Sequence, residues 1–274
     1  MKRLLNSKFL RRSLVFVRQS FLHPISDLVK ITAYELKRKF RDTPLFVAIE
    51  TTTICNLKCS YCPSEKIRKQ RPALMGETIF KNIINDISKS FPGYNKQIHV
   101  QLYGEPLTDK RIFKLVEFTR SQLQSAKIVF FTNGELLSQE KYKLLKQKGV
   151  ISFIITQHKA GVPHLMKDWF SKRKHRDIRY QVAGTELALF NRGGSQKIIK
   201  PARLKYCHFA PYSIIINSEG NLIACCNDPF SSQIFGNYSE GLKTVWEKAE
   251  YKKFRRQTRK GKFSLPICNS CTGR

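Results

Sequence analysis

Cys55, Cys59 and Cys62 stand in the stretch Thr-Ile-Cys-Asn-Leu-Lys-Cys-Ser-Tyr-Cys-Pro, a C-x3-C-x2-C triplet just after the apolar run Leu45-Phe46-Val47-Ala48-Ile49. Three thiolates on one short loop can hold three corners of a cubic iron–sulfur cluster and leave the fourth iron without a protein ligand. An open iron can bind a small chelating molecule, so the spacing points to chemistry at the cluster as well as electron storage. Structural zinc normally takes four ligands, one more than this loop offers.

Five further cysteines follow: Cys207, Cys225, Cys226, Cys268 and Cys271. Four thiolates from separated pieces of chain can enclose a complete cube with no open iron, and zinc is the other occupant such a set can take. Adjacent Cys225 and Cys226 cannot be told apart by spacing.

The elements that must position these residues are legible in outline. Leu45–Glu50 reads as a buried strand, followed by the cysteine loop and a helix from about Thr78 to Ser88. Strands follow at Ile98–Tyr103, Lys127–Thr132, Ile151–Thr156 and Ile178–Val182. Helices alternate with them at Lys110–Gln124, Ser138–Lys148 and Val162–Ser171. This alternation predicts an α/β fold built on a parallel sheet or partial TIM-like barrel of the (β/α)6 kind. In such barrels functional residues gather on the loops after the strands, where the cysteine loop lies. Beyond about residue 200 the pattern changes. Tyr212–Asn217 and Asn221–Cys225 read as a β-hairpin turning at Ser218-Glu219-Gly220, with a basic helix from Leu242 to Lys260 and a tail carrying Cys268 and Cys271. The expected organisation is a basic extension over 1–42, a partial barrel over 43–200, and a small hairpin-plus-helix module over 201–274.

Composition sets the bounds. A chain of 274 residues has ample length for a core. Eight clustered cysteines fit metal ligation in a reducing cell better than a disulfide scaffold. With no signal peptide and no apolar stretch of membrane-spanning length, a cytoplasmic protein is expected. The net charge of +30 attracts any polyanion, but it is spread along the chain with no nucleic-acid-binding motif, so no specific nucleic acid is expected. Residues 1–42 hold eleven Lys or Arg, with Leu5, Phe9, Leu10, Leu14, Val17 and Phe21 at near-helical spacing. Such a segment can lie peripherally on an anionic membrane or pack as a helical extension.

The triplet, with Tyr61 just before its last cysteine, resembles the signature of the radical S-adenosylmethionine (SAM) superfamily. Tyr103-Gly104-Glu105-Pro106 is similar to that family's Gly-Gly-Glu-Pro segment, with Tyr103 replacing the first glycine. Thr132-Asn133-Gly134 resembles its Thr-Asn-Gly turn. The resemblance covers residues 44–274 and implies that Cys55, Cys59 and Cys62 hold a 4Fe-4S cluster whose open iron binds SAM. It also implies that Tyr61, Gly104, Glu105, Pro106, Thr132, Asn133 and Gly134 line the SAM pocket, with Glu105 accepting from the SAM amino group. Cys207-x12-Gly220-x4-Cys225 with Cys268-x2-Cys271 resembles the SPASM/twitch auxiliary-cluster domain. By that analogy Cys207, Cys225, Cys268 and Cys271 ligate one auxiliary 4Fe-4S cluster, with Cys226 spare. No cysteine follows Cys271, which matches the shorter twitch type.

The family chemistry implied is reductive cleavage of SAM to a 5′-deoxyadenosyl radical, with electrons from flavodoxin or ferredoxin. Hydrogen abstraction from a sugar- or cyclitol-like molecule would follow, with the auxiliary cluster accepting an electron, as in the twitch-type aminocyclitol dehydrogenases. Arg192, in Asn-Arg-Gly-Gly, can stabilise an anionic ketyl-like state, bind the SAM carboxylate or cap a loop. His158 follows the fourth strand, where a direct or a structural role is open. Other readings are a maturase that cross-links or epimerises a ribosomal peptide, and a non-catalytic iron–sulfur or zinc protein.

Overall fold

The computed structural model describes residues 42–158, 176–185, 187, 189–197, 201 and 205–274. All but the last residue of the basic segment 1–42, and the helix expected over 162–171, lie outside the described residues. Residues Pro44–Arg274 belong to one compact unit.

Its centre is an eight-stranded sheet. In chain order the strands are β1 (Phe46–Ile49), β2 (Gln97–His99), β3 (Lys127–Thr132), β4 (Val150–Gln157), β5 (Ile178–Val182), β6 (Ser213–Ile216), β7 (Asn221–Ile223) and β8 (Ile234–Asn237). They lie side by side as β5-β4-β3-β2-β1-β6-β7-β8. The first six of that row run parallel, β7 runs antiparallel to β6, and β8 antiparallel to β7. Among the described residues the sheet does not close, so the partial, open α/β barrel expected from the alternation is what forms.

The helices are α1 (Ser64–Arg68), α2 (Glu77–Ser90), α3 (Ile112–Gln122), α4 (Gln139–Gln147), α5 (Leu242–Glu247), α6 (Ala249–Arg259) and α7 (Pro266–Thr272). In α2 the buried residues Phe80, Ile83, Ile84 and Ile87 fall on one face at helical spacing. Burying each such side chain is worth roughly 1.5–3 kcal/mol. Ser138 caps α4 by accepting from the Lys141 amide at 3.2 Å. Among the described residues no helix is long and apolar enough to cross a membrane.

Four details depart from the sequence-based expectation. β2 ends at His99 rather than Tyr103, because the chain bends away to lay Gly104 against the backbone of Thr52 and Ile54. The hairpin expected after residue 212 is present, but its first strand pairs parallel with β1, from Phe46↔Ser213 to Ile49↔Ile216, so it extends the main sheet. The single basic helix over 242–260 is two helices, broken at Lys248, whose ψ of 137° is extended. The cysteine tail is itself the short helix α7, opened by Pro266 in its first turn.

A buried ion pair ties the first strand to the C-terminal part. Glu50, fully buried just past β1, faces Arg71 with Nη2 3.2 Å from Oε2. Its Oε2 also accepts from the Ser218 amide at 3.1 Å. Arg71 donates onward to Ser231 Oγ at 2.8 Å and the Pro229 carbonyl at 3.0 Å. Burial pushes the Glu50 carboxyl up to about 7, while Arg71 and the amides of Ser218 and Tyr103 pull it back. Removing Arg71 leaves a buried carboxylate with no compensating charge. Arg71→Met is expected to cost about 3–5 kcal/mol, read from anaerobic urea denaturation. A carboxyl whose folded pKa lies above its unfolded one stabilises most at low pH and loses that contribution as the pH rises through the folded value. The deficit of the variant should therefore deepen as the pH rises through about 7.

Candidate functional site

Three consecutive threonines fix the base of the cysteine loop. Thr51 Oγ1 donates to the Val100 carbonyl (2.8 Å), Thr52 Oγ1 to Ala73 (3.0 Å) and Thr53 Oγ1 to Pro72 (3.2 Å). The backbone adds Thr53 N to Ala73 O and Met75 N to Thr51 O, so the chain leaving the loop returns beside the chain going in. Cysteines can then be held at the mouth of the sheet without a long strand of their own.

The second motif lies on this loop. The Glu105 amide donates to the Ile54 carbonyl at 2.8 Å, and Thr108 Oγ1 donates to the same oxygen at 3.2 Å. A Cβ at Gly104 would collide with the Thr52 carbonyl, so only glycine lets the two backbones approach. Pro106 opens the 3-10 turn Pro106–Thr108, whose first free amide, Leu107 N, is capped by Glu105 at 3.1 Å.

Glu105 joins the third motif as well. It is 3 % exposed and accepts from Thr132 Oγ1 at 2.8 Å and from the Asn133 amide at 2.7 Å. Burial lifts its carboxyl to about 7 against the pull of these three donors. Most of its acceptor capacity is thus used inside the protein, with room for one more donor on the oxygen that faces Asn133. Asn133 reaches back to the loop, donating to Asn56 Oδ1 at 2.9 Å and lying 3.8 Å from Cys55 Sγ. Gly134, at φ +79°, lets the chain turn there.

These residues wall a cavity of about 360 Å³. Cys55, Cys59, Cys62, Tyr61, Gly104, Glu105, Thr132, Asn133, His158 and Arg192 all line it; Pro106 and Gly134 support the wall without lining it. Burial, then the nearby sulfur of Cys59, raises the Tyr61 phenol well above its usual range. Its oxygen also lies 2.7 Å from His158 Nδ1. Burial raises the Cys55 thiol pKa, with nearby Glu105 adding to it.

The other five cysteines meet in a smaller cavity of about 30 Å³, lined by Cys207, Cys225, Cys226, Cys268 and Cys271. Burial and the neighbouring thiols push Cys226 up to about 11 and Cys268 up to about 12. Phe190, Phe209, Cys226 and Asn227 belong to the walls of both cavities. Arg192 stands at this partition. Its Nη1 donates to Asn227 Oδ1 at 3.2 Å, and its guanidinium lies 5.5 Å from the Tyr103 ring centre. The turn that carries it is fitted to α7: Arg192 has φ +48°, Gly193 leaves no room for a Cβ beside Ile267, and Asn191 Nδ2 donates to the Ser270 carbonyl at 2.9 Å.

Among the described residues no three His, Cys, Asp or Glu side chains converge as the ligands of a single metal ion do. Tetrahedral zinc would draw four sulfurs to about 2.3 Å from one point. A multi-iron cube instead takes thiols spread around a shared space, which is how both cysteine sets lie. The larger cavity also holds an orphan acceptor, Gln101 Oε1, buried in its wall with no protein partner. The donor types, the glycine cradle and this orphan fit an iron–sulfur cluster with a polar organic ligand beside it.

Sequence reasoning missed several wall residues. His99 is 9 % exposed and stacks on Phe46 at 5.1 Å; burial holds its imidazole neutral, down to about 3. Gln101, Gln181 and Asn227 also line the cavity. A polar residue alternating with apolar ones in strands that should be buried on both faces was the available clue.

A model of the Radical SAM superfamily matches residues 49–176, and one of the SPASM iron–sulfur cluster-binding domain matches residues 207–272. The chain is 26% identical over 241 residues to the S-adenosyl-L-methionine-dependent 2-deoxy-scyllo-inosamine dehydrogenase of Niallia circulans, covering 82% of this chain and 91% of the relative. A crystal structure of BtrN in complex with AdoMet and 2-DOIA superposes with a TM-score of 0.73 at 25% identity, covering 81% of this chain and 90% of that one. BtrN in an open conformation gives a TM-score of 0.62 at 21% identity, covering 81% and 88%.

Gly104→Ala tests the stitching of the loop. The clash is with backbone atoms that cannot rotate away, so a cost of about 1–3 kcal/mol is expected, with fewer iron atoms retained per chain. Wild-type stability and iron content in that variant would show that the contact does not matter.

Proposed function

The chain belongs to the radical SAM superfamily and carries, behind that domain, a SPASM iron–sulfur cluster-binding domain; from this we propose that it is an oxidoreductase that dehydrogenates a sugar- or cyclitol-like small molecule. The observation that carries the reading is the common partition of two thiol-lined cavities, one large enough for small ligands and one filled by cysteines. A substrate in the first lies next to an electron acceptor in the second.

In this reading Cys55, Cys59 and Cys62 hold the cluster with the open iron. Cys207, Cys225, Cys268 and Cys271 hold one auxiliary cluster, in the manner of the twitch type. When bound, the first cluster and SAM supply a carbon-centred radical that takes a hydrogen atom, and the auxiliary cluster supplies a sink for one electron. The protein binds and orients around that chemistry. Gly104 and Glu105 form the floor on which SAM is held, Glu105 offering its remaining acceptor position to an amino group. Asn133 fixes Cys55 and the loop. Tyr61 and Thr132 complete the wall. Arg192, a fixed cation at the partition, would stabilise negative charge developing on a substrate oxygen.

Support for a polyol comes from the named activity of the Niallia circulans relative and from the size of the cavity, which lies in the range of small-molecule sites. We place the enzyme in the reducing cytoplasm on its eight free thiols, fed by flavodoxin or ferredoxin. The eleven basic residues of segment 1–42 and the near-helical spacing of its apolar ones support contact with an anionic membrane surface.

Anaerobic reconstitution should give about eight iron atoms per chain, falling to about four in Cys207→Ala. With SAM, a strong reductant and 2-deoxy-scyllo-inosamine deuterated at its carbinol carbons, deuterium should appear in 5′-deoxyadenosine and a ketone should form. Deuterium transfer from a peptide instead would favour a maturase, and intact clusters without any 5′-deoxyadenosine would end the radical assignment.

A further inference from the structure

A sugar- or cyclitol-like molecule carries a polar group on almost every ring carbon, and a cavity that selects it must meet some of them with hydrogen bonds. Building on the dehydrogenase reading above, we propose that Gln101 is the specificity-determining residue of the larger cavity. Its side-chain amide hydrogen-bonds a ring hydroxyl, and the substrate is an uncharged polyol rather than an amine.

Gln101 lies just beyond β2 and lines the larger cavity together with His99, while their neighbours Ile98 and Val100 are buried in the core. A side-chain amide offers two donors and an acceptor oxygen. Among the described residues the Gln101 amide makes no hydrogen bond, and its Oε1 is buried without a partner. The other amides of the wall are all engaged. Gln181 Nε2 donates to Thr156 Oγ1 at 3.0 Å, Asn133 Nδ2 to Asn56 Oδ1 at 2.9 Å, and Asn227 Oδ1 accepts from Arg192 at 3.2 Å. An unpaired polar group in a wall costs stability that an apolar residue of the same size would not. Gln101 gives nothing back to the fold, so its partner is a ligand.

Its surroundings say what kind of ligand. Along the chain Gln101 stands between His99 and the Gly104–Glu105 segment. His99 belongs to an aromatic floor, stacked on Phe46 at 5.1 Å and tilted against Phe131 at 4.7 Å. Such a floor suits the C–H face of a saturated ring, and an amide beside it suits a hydroxyl, which both donates and accepts. An ammonium group would need a carboxylate to offset its lost hydration. Among the described wall residues Glu105 is the only carboxylate, and it already accepts from Leu107, Thr132 and Asn133. Its remaining position is assigned above to SAM. The other fixed charge of the wall is Arg192, a cation, which disfavours a second positive charge.

Isothermal titration of the oxidised, reconstituted protein in the presence of SAM measures binding without turnover. The probes are 2-deoxy-scyllo-inosamine and the cyclitol that carries a hydroxyl in place of its amino group. The neutral cyclitol should bind about tenfold more tightly, and Gln101→Leu should weaken its binding by about tenfold. Gln101→Glu, which adds a carboxylate to the wall, should turn the preference toward the amine. Without ligand, Gln101→Leu of full iron content should unfold no earlier in urea than the unaltered protein, because it loses no internal hydrogen bond. Earlier unfolding marks a structural residue and overturns the proposal. Unchanged binding in Gln101→Leu, an unchanged preference in Gln101→Glu, or tighter binding of the amine by the unaltered chain also overturns it. If the unaltered chain, with SAM and a strong reductant, moves deuterium from neither cyclitol into 5′-deoxyadenosine, the dehydrogenase reading falls and takes this role with it. If deuterium moves and only the binding or unfolding results fail, the fault lies with Gln101 alone.

Discussion

The buried pair of Glu50 and Arg71 is the joint on which the rest hangs. A carboxylate with no exposed surface sits at the end of the first strand, where three pieces of chain converge: the return of the cysteine loop, the bend after the second strand, and the turn of the C-terminal hairpin. Arg71 extends the joint to Pro229 and Ser231, beyond the hairpin. A buried charge pair adds little net stability over apolar packing, but it tolerates very few geometries. That intolerance suits a molecule in which two cysteine sets must keep a fixed spacing. The three threonines after Glu50 continue the same function: Thr52 and Thr53 stitch the loop to its own return, and Thr51 ties it to the chain after the second strand.

From this joint the site builds outward as a relay of strand ends. The second strand's Glu105 holds the third strand's Thr132 and Asn133, and Asn133 holds the cysteine loop. The motifs form one hydrogen-bonded object, so the carboxylate is as much a structural hub as a ligand-facing group. At the far side Arg192 has the same double character. Its backbone is strained to fit the last helix while its guanidinium is offered to the cavity.

The sequence made plain whatever is encoded locally. The strands Lys127–Thr132 and Ile178–Val182 have the bounds that their apolar pattern predicts, and the helix after Ser138 starts where its cap requires. Cys207, Cys225, Cys268 and Cys271 were grouped from the sequence with Cys226 left spare, and all five line one small cavity. Long-range pairing was not. Ser213–Ile216 has the composition of any buried strand, and nothing local says that it lies against Phe46–Ile49. The strand Ile234–Asn237 and the break at Lys248 were missed because neither has a local signal: the first is fixed by pairing with β7, and the second lies between Trp246 and Tyr251, which are both fully buried. His158 could be noticed at a strand end, but its link to Tyr61 spans 97 positions and appears only in three dimensions.

Because β1 is flanked by β2 and β6, one of its edges is covered by the next strand in the chain and the other only by residues from Ser213 on. The order of synthesis therefore separates the two halves of the molecule in time. Cys55, Cys59 and Cys62 leave the ribosome long before the strand that completes their sheet. Contacts of such sequence separation are slow to form. Until then the strand that leads into the cysteine loop has one edge without a partner. Adding β6 also brings Cys226 and Asn227, which follow its hairpin, to the wall of the larger cavity, so this side of the site forms only with residues far along the chain from the cysteine loop.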